Sequence, residues 1–133
     1  MTAATEGRNT KRRDSTLIVG LVNAAAVIYA GTLVTRLTAN GNIVPGGTAS
    51  AGPAVGVAEE TVTGDGAKTV TYRRGTFHFA NSASGDLIGH GDIGATCYLV
   101  DNQTVAKTDN SAARKAAGKI IDVDANGVWV EVG

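Results

Sequence analysis

Four residues near the end of the chain have the types and spacing of a calcium-binding loop. In the segment DVDANGVWVEVG, Asp122, Asp124, Asn126 and Gly127 occupy the first, third, fifth and sixth positions of an EF-hand loop. The bidentate glutamate required at the twelfth position is missing, because that position is Gly133. Strand-like alternation on both sides of Asn126-Gly127 instead predicts a β-hairpin with a type I′ turn, so no metal site is expected.

The two histidines are the other side chains with catalytic chemistry. His78 and His90 have no second histidine at helical ligand spacing, which excludes a helix-borne zinc site. His90 precedes Asp92 in a glycine-rich loop, but an acid/base pair needs a pocket as well as two residues. A solvated turn is therefore the favoured interpretation, and Cys97 is expected to be a small buried hydrophobe. We expect no catalytic residue, no bound metal and no cofactor.

Composition indicates one small domain with an aliphatic core. The 133 residues are 43% hydrophobic but only 5% aromatic, so Val, Ile, Leu and Ala must fill the interior. The 18 glycines indicate many tight turns. Lys and Arg total 12 and so do Asp and Glu, which argues against a globally basic nucleic-acid binder. A single cysteine excludes an internal disulfide.

Short alternating segments predict an all-β fold, a small β-sandwich or barrel. Strands of about five or six residues are separated by turns every 8–12 residues or so. The predicted strands cover 15–22, 26–37 with a break at Ala30-Gly31, 54–58, 68–73, 77–79, 95–100, 104–107, 118–123 and 128–132. One short helix is predicted over residues 111–117, with Asp109 or Ser111 as its N-cap and Gly118 just past its end.

The first 14 residues differ from the rest of the chain. Their basic residues are Arg8, Lys11, Arg12 and Arg13. Because no large apolar residue follows Met1, this segment cannot offset its ordering entropy by burying apolar surface. The sequence predicts a basic extended N-terminal arm over residues 1–14 and a β-rich domain over residues 15–133.

An apolar run over residues 17–30 follows the arm. A basic start before an apolar run is typical of a signal peptide. Gly20 and Asn23 interrupt this run, and it is shorter than the ~20 apolar residues of a membrane span. A buried strand is the favoured interpretation, with secretion or membrane anchoring as the alternative.

Several pieces of the domain follow one another in an order found in a known family. They are residues 30–34, 54–58, 64–70, 75, 94–101 and 118–132. A G-V-A strand, a glycine turn, a T-V-T-Y strand and a further glycine succeed one another within them. In this order, residues 30–133 resemble the capsid cement, or head decoration, proteins of tailed phages.

The resemblance implies a structural virion protein without enzymatic activity. It implies a chain made in the host cytoplasm that binds the outer surface of the expanded phage capsid. Its partners would be the major capsid protein and neighbouring copies of itself, with a homotrimer possible, and neither nucleic acid nor a membrane would be bound directly. Binding only the expanded lattice would stabilise the shell against the pressure of packaged DNA.

The arm and the first strand are the expected contact regions. The predicted contact residues are Arg8, Lys11, Arg12, Arg13, Leu17, Val19 and Leu21. The basic side chains would meet acidic patches on the major capsid protein or on a neighbouring copy, and the strand would add to a sheet edge. The alternative, that the basic residues only keep a tail soluble, stays open.

Three other functions stay open at this point. One is a different virion part, such as a tail or neck subunit, which a low copy number per particle would indicate. A secreted β-domain that binds carbohydrate is another, but its sites usually present aromatic platforms, and only Trp129 and three tyrosines are available, which counts against it. A small enzyme would need His78 or His90 together with Asp92.

Overall fold

The computed structural model describes residues 2–133, and these residues form an all-β fold, as the alternating pattern predicts. Their twelve strands are β1 Leu17–Leu21, β2 Val27–Ile28, β3 Leu33–Leu37, β4 Ile43–Pro45, β5 Ala51–Ala58, β6 Val62–Thr63, β7 Thr69–Arg73, β8 Gly75–Phe79, β9 Thr96–Leu99, β10 Val105–Ala106, β11 Ala116–Asp124 and β12 Gly127–Val132. Two single-turn 3₁₀ helices, Ser84–Asp86 and His90–Asp92, lie between β8 and β9. None of the helices within residues 2–133 is long and apolar enough to span a membrane.

The first sheet has the strand order β1-β7-β5-β3-β4, and all its neighbouring strands are antiparallel. One parallel bridge between Val22 and Ile43 joins its two outer strands, with the N–H of Asn23 donating to the carbonyl of Ile43 at 3.0 Å. The sheet therefore curls towards a closed barrel at this end. Its interior cluster, to which β2 also contributes, consists of Val22, Ile28, Val34, Ile43, Ala58, Val70 and Tyr72.

The second sheet has the order β10-β9-β11-β12-β8 and is curved in the same way. A parallel bridge joins Ala80, just after β8, to Thr104, just before β10. Its buried cluster contains Phe79, Ile88, Cys97, Leu99, Val105, Ala117, Ile120, Val123, Val128, Val130 and Val132, together with Leu33, Ala54 and Val57 from the first sheet. The two sheets thus pack face to face through β3 and β5.

The period-2 alternation of β3 explains how one strand serves both clusters. Leu33 is buried between the two sheets, whereas its neighbour Val34 is buried inside the curl of the first sheet. Thr35 is the next residue and is also buried, and its hydroxyl donates to the carbonyl of Pro53 at 2.9 Å. A buried hydroxyl with a partner avoids the desolvation cost of an unpaired one.

The predicted helix over residues 111–117 is wrong. Asn110, Ser111 and Ala112 instead have φ values of 50°, 56° and 68°, which form a left-handed turn, and β11 begins at Ala116. A helix of about two turns is marginal alone, so pairing of Ala116 with Tyr98 in β9 prevails over local propensity.

The predicted terminal hairpin is confirmed, but its turn is not of the predicted type. Asp124 faces Gly127, so Ala125 and Asn126 are the two turn residues, and neither has a positive φ. The Asp124 carboxylate accepts the N–H of Asn126 at 2.8 Å, which closes the turn locally. Glycine is required at position 127 for a different reason, which is the close approach of β8: a Cβ there would lie 2.2 Å from the carbonyl oxygen of Phe79.

Residues 2–16 precede the first strand as an exposed segment without helix or strand, consistent with an extended arm. The apolar run after it is less buried than expected. In β1 only Gly20 is fully buried, and alternate side chains face solvent. The expectation of a buried strand therefore holds for one face of β1 and is wrong for the other, which no second layer covers.

Gly118 allows β11 to approach β12 closely. A Cβ there would lie 2.1 Å from the carbonyl oxygen of Glu131, a backbone atom that cannot turn aside as a side chain would. We expect Gly118→Ala to lower the free energy of unfolding by about 1–3 kcal/mol, measured by urea unfolding. Gly85→Ala is the matched control, because no atom lies within 4 Å of a Cβ at that position. Equal losses in the two variants would contradict the close-approach explanation.

Candidate functional site

The outer face of β1 carries a row of exposed apolar side chains. Leu17, Val19 and Leu21 are 48%, 59% and 38% exposed, while Gly20 between them is buried. Successive residues on one face of a strand are about 7 Å apart, so the three side chains form a row roughly 14 Å long. The three apolar residues predicted to bind a partner therefore lie together on one surface, which we call the β1 row.

The β1 row lies on the same face of the first sheet that packs against the second sheet. Leu17 pairs with Arg73 of β7, and Arg73 pairs in turn with Val57 of β5, which is buried between the sheets. At β5 this face is covered, whereas at β1 it is exposed. The β1 row is therefore an uncovered continuation of an interface that is buried elsewhere in the molecule.

Polar groups border the β1 row on its β7 side. The cross-strand partners of Leu17, Val19 and Leu21 are Arg73, Thr71 and Thr69. Arg73 is held in place by Glu59, with its Nε 2.8 Å from the carboxylate oxygen. On the other side, β1 is the outermost strand of its sheet, so its edge has no strand partner within residues 2–133 along Leu17–Leu21. An exposed strand edge can accept an added strand from another molecule.

The four predicted basic residues lie on the exposed arm that leads into β1. Within residues 2–133, none of Arg8, Lys11, Arg12 and Arg13 forms an ion pair. The exposed Asp14 carboxylate accepts hydrogen bonds from Thr16, whose backbone N–H, followed by its hydroxyl, lowers the pKa of that carboxyl. The carbonyl of Thr16 accepts the N–H of Arg74 at 2.8 Å, which fixes the point where the arm leaves the domain.

The histidine and aspartate of the polar loop are not joined as an acid/base pair. No hydrogen bond links His90 to Asp92 among the described residues. The Asp92 carboxylate accepts the N–H of Gly89 at 2.8 Å and lies 3.5 Å from the ammonium of Lys107. These two contacts, the N–H of Gly89 foremost, lower the pKa of Asp92. The carboxylate therefore caps its own turn.

A cluster that the sequence did not predict lies on the outer face of the second sheet and joins a residue of β8 to two residues of the β11–β12 hairpin. His78 in β8 is cross-strand partner to Trp129 in β12, with ring centroids 5.0 Å apart. Asp124 accepts from the indole N–H of Trp129 at 3.1 Å and lies 3.2 Å from Nε2 of His78. The period-2 alternation of β8 and β12 is visible in the sequence, but it does not show which residues of the two strands pair.

The carboxylate of this cluster has a structural role. The N–H of Asn126, followed by His78, lowers the pKa of Asp124. Both of its oxygens are engaged, so it holds two rings and a turn and is not available as a free base. Within residues 2–133, no three His, Cys, Asp or Glu side chains are grouped so that they could hold a metal ion.

Cys97 is buried in the cluster between the two sheets, as predicted. Its Sγ donates to the carbonyl of Gly118 at 3.6 Å, and burial raises the pKa of the thiol to about 11. The reactive thiolate is therefore scarce at neutral pH.

Comparison of the chain with protein-family models, with curated proteins and with solved structures gives no match.

The lowered pKa of Asp124 predicts a defined pH dependence of stability. A carboxyl whose pKa falls on folding contributes stability above its unfolded value, ordinarily 3.8, and loses it as the pH falls through the lowered folded value. We expect Asp124→Asn to destabilise the domain near neutral pH, and the difference from wild type to shrink below about pH 4. Urea midpoints measured across this range test the effect. A difference that is the same at both ends would contradict it.

Cys97 should be protected in the native state. A rise in pKa from 9.0 to about 11 lowers the thiolate fraction at pH 8 by about a hundredfold, and burial restricts access further. We expect a thiol reagent to label the folded protein at least that much more slowly than the protein in urea. Comparable rates in the two states would contradict burial of Cys97.

Proposed function

We propose that the chain is a structural virion protein, a capsid cement protein that binds the outer surface of the expanded phage head. The observation that carries the proposal is the β1 row, an uncovered apolar face on an outermost strand whose edge has no strand partner along Leu17–Leu21 among the described residues. It comes directly after a basic arm that forms no ion pair within residues 2–133. Such a surface is suited to a protein partner. The resemblance of residues 30–133 to head decoration proteins is the reason for proposing the major capsid protein as that partner.

Each subunit would bind weakly through the β1 row alone. Fully burying a Leu or Val side chain contributes about 1.5–3 kcal/mol, and these three are already partly buried, so the row supplies a few kcal/mol. Part of that offsets the cost of association. Strong attachment then requires the arm and repetition over the lattice, because linked weak contacts on a rigid shell act together.

The arm provides the second contact. Arg8, Lys11, Arg12 and Arg13 are exposed cations on an extended segment, and they would meet acidic side chains of the major capsid protein or of a neighbouring copy, including copies within a homotrimer. An arm that orders on binding covers much surface per residue, although it loses conformational entropy. Because the contacts require the geometry of the expanded shell, binding would lower the free energy of that state relative to the unexpanded and ruptured states.

Co-sedimentation with heads lacking this protein tests the proposal. Heads of the phage that encodes the chain are prepared in the unexpanded and in the expanded form. Saturable binding to expanded heads only, at a stoichiometry that matches a lattice position, is the expected result. Absence of binding to both forms would refute the proposal, and a handful of copies per particle would assign the chain to the tail or neck.

Two variants separate the contributions of the arm and the β1 row. Val19→Lys places a charge in the middle of the row, and deletion of residues 2–14 removes the basic residues; we expect each to weaken binding to expanded heads at least tenfold. Both should leave the urea midpoint close to that of the wild type, because the altered residues are exposed.

Val100→Lys is the matched control for the row, since Val100 is another exposed valine, 39% accessible, outside the first sheet. Replacement of Lys68, Lys115 and Lys119 by Gln controls for a general loss of positive charge. Equal weakening by the controls would show that the β1 row and the arm are not the contact surface.

A further inference from the structure

The single tryptophan of the chain lies on a solvent-facing surface. The interior is built from aliphatic side chains, yet Trp129 is on the outer face of the second sheet and is 40% exposed. Its cross-strand neighbours are polar, Asp122 on β11 and His78 on β8. Burial in the core therefore does not explain the position of this large ring.

The Trp129 ring is held in one orientation. Its N–H donates to one oxygen of Asp124, and the other oxygen accepts the N–H of Asn126 and contacts His78. The imidazole of His78 packs against the indole at 57° between the ring planes. Because the indole N–H already has a partner, the exposed part of the ring offers only apolar atoms. The side chain has also lost its rotamer entropy before any ligand binds.

Asp124, which holds the Trp129 ring, also lines an open groove of about 560 Å³. The groove lies between the tip of the β11–β12 hairpin, residues 123–127, and the loop over residues 80–90. This volume is within the range of small-ligand sites. The exposed side chain of Leu87 lines it, and so do His90 and Asn126, whose side chains form no hydrogen bond to protein within residues 2–133.

We propose that the Trp129 ring and this groove form a binding site for a neutral, linear polysaccharide. A pyranose has an apolar C–H face that stacks on an indole, and hydroxyl groups at its rim that can pair with His90 and Asn126. One sugar unit would lie on Trp129 while the following units enter the groove past Asp124. A nucleic acid is disfavoured, because Asp122 and Asp124 flank the ring and would repel phosphates.

This site is separate from the surface proposed for head binding. Trp129 and the groove belong to the second sheet and its loops, whereas the β1 row belongs to the first. A subunit attached through β1 and its arm would therefore carry a second site of different chemistry. The proposal holds or fails irrespective of capsid attachment.

Trp129 provides its own assay, because it is the only tryptophan of the chain. The full chain is titrated with cellohexaose, maltohexaose, chitohexaose and mannohexaose while its intrinsic fluorescence is recorded. We expect a saturable change with at least one of them and a Kd on the order of 1 mM or below, typical of a shallow site. No saturable change with any of the four at about 10 mM overturns the proposal.

Variants locate the binding independently of the fluorescence signal. Electrophoretic retardation is measured for wild type, Trp129→Thr and the pair His90→Ala with Asn126→Ala, in gels that contain a water-soluble form of the polysaccharide corresponding to the responding oligosaccharide. We expect Trp129→Thr to abolish retardation and the groove pair to reduce it severalfold, with urea midpoints recorded to confirm folding.

Tyr29→Thr is the matched control, because Tyr29 is an exposed aromatic residue outside both five-stranded sheets. Its retardation should equal that of the wild type. Retardation that survives Trp129→Thr, or that Tyr29→Thr abolishes equally, overturns the assignment. Val19→Lys should retain full retardation, and Trp129→Thr should still bind expanded heads, so failure of one proposal is distinguished from failure of the other.

Discussion

The fold depends on one constraint, which is that β3 and β5 must bury side chains on both faces of the same sheet. Leu33 and Val57 face the second sheet, while Val34 and Ala58 face the inside of the first. The same two strands therefore contribute to two separate apolar clusters, so a shift of β3 or β5 would disturb both. The second sheet covers the first only around β3 and β5, so the far end of the same face, at β1, remains open. The exposed β1 row is thus a direct consequence of how the two sheets overlap.

The two proposed surfaces differ in how their groups are prepared for binding. In β1 the backbone is paired with β7 and the exposed side chains are simple apolar groups, so recognition would depend on shape and on the strand edge along Leu17–Leu21. On the second sheet a carboxylate holds an indole in place, and the polar side chains without hydrogen bonds among the described residues are His90 in the neighbouring loop and Asn126 in the hairpin turn. The other reactive groups are not free to act, since the thiol of Cys97 is buried and the carboxylates of Asp92 and Asp124 accept local hydrogen bonds.

Sequence patterns predicted what depends on local periodicity and missed what depends on pairing. Alternation located most of the strands and both hairpins of the second sheet, and it placed Leu17, Val19 and Leu21 on one face. The segment 111–117 looks helical because alanine favours helices, but the hydrogen bonds that β9 provides are not visible in the local sequence. The turn at Asn126 was assigned one residue too late because the side chain of Asp124 competes for its N–H. The cluster of His78, Asp124 and Trp129 required the register of β8 against β12, which period-2 alternation does not specify.

The pairing of β1 with β7 has a consequence for how the chain acquires its fold. Leu17 pairs with Arg73 and Leu21 with Thr69, so about 50 residues must be made after β1 before its partner strand exists. At about 5–20 residues per second, the first strand leaves the ribosome and waits several seconds without a neighbour. A sheet closed by such distant pairings folds slowly compared with one built from adjacent hairpins. We expect the polar, positively charged residues just before β1 to help during synthesis, by keeping an apolar strand in solution until the rest of its sheet has been made.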